Sequence, residues 1–144
     1  MIKTIFFIGL LLLPPLAEGR AIEPTAKANY VQALQTANAF LWAWANRDSE
    51  AGMRLISKNL LSKYKKENKE EWFRDYMTGL SNPHHSSFEL GQGRTINAKQ
   101  IVFPVTLYEY YTGEQKAFQY KSEIEVIKEG DTWRINTLPI TSEK

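Results

Sequence analysis

The strongest constraint on the fold is the order of two hydrophobic patterns along the chain. Up to about residue 80, apolar residues recur at spacings of three and four, which is typical of amphipathic helices. From about residue 86 onward they alternate with polar residues, which is typical of strands. This order predicts an α+β fold in which N-terminal helices pack on an antiparallel sheet of about four strands.

The helical half divides into three predicted segments. The first runs from about Thr25 to Asn46, and Asp48 is expected to cap a second, short helix through Leu55. An apolar stripe continues beyond it, with Ser57 and Asn59 marking a break. The third helix is predicted over residues 67–80. One face of the first helix is apolar, comprising Tyr30, Leu34, Ala37, Leu41 and Trp44.

The strand half predicts four segments, over residues 87–96, 100–111, 117–128 and 132–138. Gly91 and Gly93 indicate a bulge or bend in the first of them. Alternation assigns one face of the third segment to Phe118, Tyr120, Ser122, Ile124 and Val126, and one face of the second to Ile101, Phe103, Val105 and Leu107. The opposite face of the second segment is also rather apolar. We expect it to contact a partner, in a homodimer formed through this outer face, and Tyr108 and Tyr110 are the interface candidates.

The first 21 residues predict a secretory signal peptide. Lys3 contributes to a positive start, and the nine-residue run Ile5–Leu13 is apolar. This run is less than half of the about 20 apolar residues that a transmembrane helix needs. Small residues follow the apolar run, as a signal peptidase requires, and they allow cleavage after Ala21 or after Ala17. Residues 22–144 are therefore expected to form a single domain that is secreted or periplasmic.

Composition excludes several classes of function. The chain has no cysteine, which removes disulfides, thiol catalysis and cysteine-ligated metals. Its 18 basic and 16 acidic residues are too evenly balanced for a typical nucleic-acid-binding protein. The two histidines, His84 and His85, are adjacent and expected in a solvent-facing loop, so no metal site is predicted. No catalytic triad, phosphate-binding loop or paired-carboxylate motif is visible, so neither catalytic residues nor a cofactor are predicted.

Lysines are concentrated between residues 58 and 69, and two interpretations stay open. The cluster could dock on anionic lipid or polymer at the cell surface. The preferred interpretation is a solvated helical junction balanced by Glu67, Glu70 and Glu71. The five residues are Lys58, Lys63, Lys65, Lys66 and Lys69.

Two motifs, in order, carry a family resemblance. The first helix ends in an aromatic-rich turn followed by the segment from Asn46 to Ala51, and the last hairpin carries the segment from Gly130 to Ile135. Over residues 25–140 the chain resembles an exported bacterial-type member of the nuclear transport factor 2-like, or cystatin-like cone, superfamily. The resemblance implies a curved antiparallel sheet of about four strands that forms a cone, and this cone holds an active site, binds a small molecule or is filled. The superfamily includes enzymes of the ketosteroid isomerase and dehydratase kinds as well as non-catalytic exported domains, so fold alone does not decide function.

The residues assigned to the inner face are mostly apolar and aromatic, which favours ligand binding or a simply filled cone over catalysis. The leading hypothesis is an exported, non-catalytic binding or interaction module of the cell envelope, which binds a protein partner or a small apolar ligand. The alternative is a small cone-fold isomerase or hydrolase that uses Tyr120 or Asp75 in its cavity. The candidate cavity residues are Trp44, Trp72, Tyr76, Phe103, Tyr120 and Trp133.

Overall fold

A computed structural model describes residues 24–66, 70–78, 84–113 and 115–139. The predicted signal peptide lies outside these ranges. Among the described helices, none combines the length and the apolar character that crossing a membrane requires.

Helices precede strands, as the sequence predicts. The four helices are α1 (Pro24–Ala45), α2 (Ser49–Leu55), α3 (Lys58–Lys66) and α4 (Glu70–Thr78). The five strands are β1 (His84–Leu90), β2 (Arg94–Asn97), β3 (Gln100–Tyr111), β4 (Lys116–Glu129) and β5 (Thr132–Ile135). The sequence predicted three helices and four strands. The separate helix α3 and the division of the first predicted strand into β1 and β2 were not predicted.

Local capping explains where the short helices begin. The Asp48 carboxylate accepts a hydrogen bond of 2.9 Å from the backbone amide of Ala51, which confirms the predicted cap of α2. The hydroxyl of buried Ser57 accepts the amide of Leu60 at 3.0 Å and caps α3 in the same way. Ile56, between the two helices, forms an isolated parallel bridge with Ile135 of β5, so the break also attaches the helices to the sheet.

The sheet is a curled antiparallel half-barrel with the order β1-β3-β4-β5, and β2 also pairs with β3. The predicted first strand is divided because the chain leaves the ladder over residues 91–93. A Cβ atom at Gly93 would lie 2.5 Å from the ring of Phe103, so only glycine fits this close approach.

Helix α1 covers the inner face of the sheet. The predicted inner residues of β3 are buried, and Ile124 and Val126 of β4 lie beside them in register, which confirms the predicted facing. Phe40 lies off the predicted stripe of α1 but is fully buried, because α1 packs against the sheet and also against α2 and α4. The buried residues of α1 are Ala33, Ala37, Phe40, Leu41, Ala43 and Trp44.

The predicted loop at the two histidines is wrong. His84 and His85 are the first residues of β1, where they pair with Tyr111 and Tyr110 of β3. The long strand β3 supplies ladder partners up to Tyr111, so β1 begins earlier than its own sequence pattern indicates. His85 is exposed, as expected.

Candidate functional site

Exposure along the inner face of the sheet increases toward the turn between β3 and β4. On β4, Val126 and Ile124 are fully buried, Tyr120 is half-buried and Phe118 is 38% exposed. The inner face is therefore packed at one end and open at the other.

A buried carboxylate stands at the open end. Glu109 continues the apolar inner row of β3 and is 7% exposed. The Tyr111 hydroxyl donates a hydrogen bond to Glu109 Oε2 at 3.2 Å. Ser86 of β1 and Phe118 of β4 lie opposite Glu109 in the two ladders. We call this group the mouth, and it comprises Ser86, Glu109, Tyr111, Phe118 and Tyr120.

Three aromatic rings form one wall of the mouth. The ring of Phe118 lies edge-on to that of Tyr111, with centroids 5.5 Å apart and an interplanar angle of 84°. It is parallel to the ring of Tyr120, at 6.3 Å and 2°. Rings in this arrangement offer a large and rigid apolar surface. With the acceptor oxygens of Glu109, the wall suits a flat apolar molecule that carries a hydrogen-bond donor.

No family model matches the sequence, and no curated protein matches it. Solved structures do match the fold. A candidate scytalone dehydratase from Novosphingobium aromaticivorans superposes with a TM-score of 0.59 at 10% identity, covering 85% of this chain and 93% of that one. A domain of unknown function with a cystatin-like fold from Nostoc punctiforme gives 0.56 at 11% identity, covering 81% and 75%. The chain has the cystatin-like cone fold.

Other cone folds leave the activity open. A ketosteroid isomerase-like protein from Erwinia carotovora superposes with a TM-score of 0.52 at 9% identity, covering 74% of this chain and 90% of that one. The similar structures thus include proteins with enzyme names and a domain of unknown function. At such identities the likeness establishes the cone fold, of the nuclear transport factor 2-like kind, and the function has to be argued from the site.

The predicted cavity residues separate into two groups within the cone. Trp44, Phe103 and Trp133 are each at most 3% exposed and belong to the packed core. Tyr120 lies in the mouth, and Tyr76 of α4 is half-buried, with its hydroxyl donating to the carbonyl of Pro139 at 3.0 Å. The side chain of Trp72 lies outside the described part of the chain.

Glu109 is not among the predicted site residues, although the sequence carries a signal for its position. The alternation that assigned Ile101, Phe103, Val105 and Leu107 to the inner face reaches Glu109 at its next step. An acidic residue that continues a buried row marks an ionisable group inside the cone. Asp75, the acid named in the sequence analysis, is half-buried on α4.

The outer face of the cone carries the two predicted interface tyrosines. Tyr110 is 41% exposed, and Tyr108 is half-buried. The Tyr108 phenol is hydrogen-bonded to the Glu89 carboxylate, which raises the pKa of Tyr108 above its usual value of 10.0. On the same face, Arg94 and Glu123 form an exposed ion pair at 3.4 Å.

Metal ligands do not gather in the described residues. Within the ranges given above, no group of three or more histidine, aspartate or glutamate side chains is arranged to hold a metal ion.

Proposed function

We propose that this chain is an exported, non-catalytic ligand-binding module of the cell envelope, and that it takes a small, largely apolar molecule at the mouth. The observation that carries the proposal is the contrast along the inner face. Phe40 and Phe103 fill the interior, whereas Phe118 and Tyr120 leave aromatic surface accessible at the open end. Small-molecule sites are lined mainly by apolar and aromatic side chains, so accessible aromatic surface on the inner face of the sheet supports ligand binding. Export is proposed from the signal-peptide pattern of the first 21 residues.

Glu109 narrows the chemistry of the ligand. The oxygens of a carboxyl side chain can each accept hydrogen bonds, and Oε2 of Glu109 accepts one from the Tyr111 hydroxyl. A ligand with a hydroxyl or amine group at one end of an apolar body would donate to Glu109 while its body lies on the aromatic wall. A ligand without a donor group could not form this hydrogen bond, so it should bind more weakly.

Native mass spectrometry of residues 22–144, purified from the native host, tests the ligand proposal. We expect a co-purifying small molecule in the wild-type protein and its loss in Tyr120→Leu. Tyr110→Leu is the matched control, because Tyr110 is a tyrosine of the same sheet on the outer face. A ligand-free mass for the wild type would contradict the proposal and direct the search to protein partners.

Export is tested separately, by fractionating cells and sequencing the N-terminus of the protein recovered. We expect recovery outside the cytoplasm with a new N-terminus at Ile22 or Glu18, according to the cleavage site. Recovery of the intact precursor from the cytoplasm would contradict export and leave the ligand proposal standing.

A small cone-fold enzyme, an isomerase or hydrolase, is the second candidate. The buried position of Glu109 beside the Tyr111 hydroxyl favours it, because catalytic acids and bases are often buried carboxylates. Once the ligand is known, incubation with the protein distinguishes the two candidates. An enzyme would convert the compound, and Glu109→Gln would abolish conversion while binding persists. A binding module would return the compound unchanged.

We further propose that the outer face forms a homodimer contact. Exposed Tyr110 and Pro104 lie on this face with half-buried Tyr108. Tyr110→Glu would introduce two mutually repelling charges near a two-fold contact, so we expect it to convert a dimer to a monomer in light scattering. A wild-type protein that is already monomeric at high concentration would refute this contact.

A further inference from the structure

A groove separate from the mouth lies between the α2–α3 junction and the β4–β5 hairpin. Its volume is about 680 Å³, within the range of small-molecule sites. We call it the basic groove. It is lined by Met53, Arg54, Ile56, Lys58, Leu61, Glu129, Gly130, Thr132 and Arg134.

Hydrogen bonds fix the two walls of the basic groove to each other. The Ser57 amide donates to the carbonyl of Ile135 at 2.7 Å, and the Lys58 amide donates to Glu129 Oε1 at 3.0 Å. The Arg134 guanidinium donates to the carbonyl of Arg54. A groove whose walls are joined in this way is preorganised, which lowers the entropy lost when a ligand binds.

The rim of the basic groove is cationic. Arg54, Lys58 and Arg134 contribute three positive charges, against the single carboxylate of Glu129 among the lining residues. One oxygen of that carboxylate already accepts the amide of Lys58. Arg54 has an ion pair with Glu50 at 3.6 Å, but both side chains are largely exposed, and such pairs are weak. The excess of positive charge at the rim favours an anion.

The floor of the basic groove is apolar. Ile56 is 5% exposed, and the side chains of Met53 and Leu61 are half-buried. A small inorganic anion would leave this apolar surface in contact with water. A ligand that joins an alkyl chain to an anionic head would bury the floor and meet the rim at once.

We propose that the basic groove binds a fatty acid anion, with the carboxylate at the cationic rim and the alkyl chain on the apolar floor. The occupant follows from charge complementarity with the rim and from the apolar character of the floor. The site also gives a specific role to Lys58, the first lysine of the lysine-rich segment. This proposal is independent of the ligand proposed for the mouth.

Calorimetric titration of residues 22–144 with decanoate tests this proposal. We expect decanoate to bind, and decyltrimethylammonium, with the same chain length and the opposite charge, to bind at least about tenfold more weakly, since the rim repels it. Lys58→Gln should weaken decanoate binding by a factor of about 2 to 5, the range for one exposed charge pair. Arg134→Gln should weaken it at least as much, because guanidinium binds carboxylate through paired hydrogen bonds.

Two control variants make the assignment specific. Lys63→Gln removes an exposed lysine of α3 that does not line the groove, and Tyr120→Leu alters the mouth; neither should change decanoate affinity. If Arg134→Gln does not fold, Arg54→Gln replaces it, because Arg54 is exposed. Absence of decanoate binding, equal binding of the two amphiphiles, or an equal effect of Lys63→Gln and Lys58→Gln would overturn the proposal.

Discussion

The hydroxyl of Ser57 donates a hydrogen bond of 2.9 Å to the side-chain oxygen of Asn136, a residue 79 positions later in the chain. The same hydroxyl accepts the amide of Leu60 and caps α3. Asn136 in turn donates to Glu125 Oε2 at 2.8 Å. One buried serine therefore fixes both the start of a helix and its attachment to the end of the sheet.

Ser57→Ala should lower the free energy of unfolding by about 1–3 kcal/mol, because it removes a helix cap and leaves the side-chain oxygen of Asn136 with one donor fewer. Ser62→Ala, an exposed position of the same helix, is the control and should stay within about 0.5 kcal/mol of wild type. Urea unfolding measures both. Equal losses in the two variants would show that the link to Asn136 contributes nothing specific.

Gly93→Ala should destabilise the domain by about 1–3 kcal/mol through overpacking. Its Cβ would lie 2.5 Å from the Phe103 ring, which is fully buried and in contact with the ring of Tyr30 at 5.6 Å. Gly113→Ala is the matched control, since a Cβ there meets no atom within 4 Å. Thermal unfolding of both variants checks the prediction, which fails if their midpoints coincide.

Trp133→Phe should change the free energy of unfolding by less than about 1 kcal/mol, although the residue is buried. Within the described ranges no acceptor lies in reach of the indole Nε1, so losing this donor offsets part of the loss of packing. Trp44 is equally buried, but its indole nitrogen is not a buried donor without a partner. Trp44→Phe should therefore lower the free energy of unfolding by more, about 1–3 kcal/mol. Denaturant unfolding distinguishes the two variants, and a larger loss at Trp133 would refute the argument.

The raised pKa of Tyr108 predicts that the stability of the protein changes at alkaline pH. Its hydrogen bond to Glu89 raises its folded-state pKa above 10.0, so the folded protein retains a proton that the unfolded chain releases. The resulting stabilisation is fully present below pH 10.0 and is lost as the pH rises through the folded-state pKa. We expect Tyr108→Phe to show a shallower loss of stability above that pH. Identical alkaline profiles of the two proteins would contradict the assignment.

Local sequence patterns predict those parts of the fold that depend only on neighbouring residues. The capping of α2 by Asp48 and the bend near Gly93 could be predicted, because each rests on a few adjacent positions. The early start of β1 at His84 could not be predicted, because it depends on pairing with Tyr111 at the far end of β3. Strand register of this kind is set by long-range contacts.

The candidate sites likewise include one feature that the local sequence predicts and one that depends on long-range contacts. The inward position of Glu109 could be read from the alternation along β3, because it lies on the same strand as the residues that define the face. The basic groove could not, since it joins Met53 and Lys58 to Arg134 across most of the chain. The bridge from Ile56 to β5 brings these residues together, and no local sequence pattern predicts that bridge.

The packing of α1 on the sheet also sets the order in which the domain can fold. The fully buried Phe40 and Ala37 of α1 belong to a core whose other wall is built by β3, β4 and β5. During synthesis α1 and its helical neighbours α2 and α4 emerge before those strands, and until the strands exist the side of α1 that faces the sheet has no surface to cover. Native packing of α1 on the sheet must therefore follow translation of β5, and that side of the helix stays uncovered until the β4–β5 hairpin has been made.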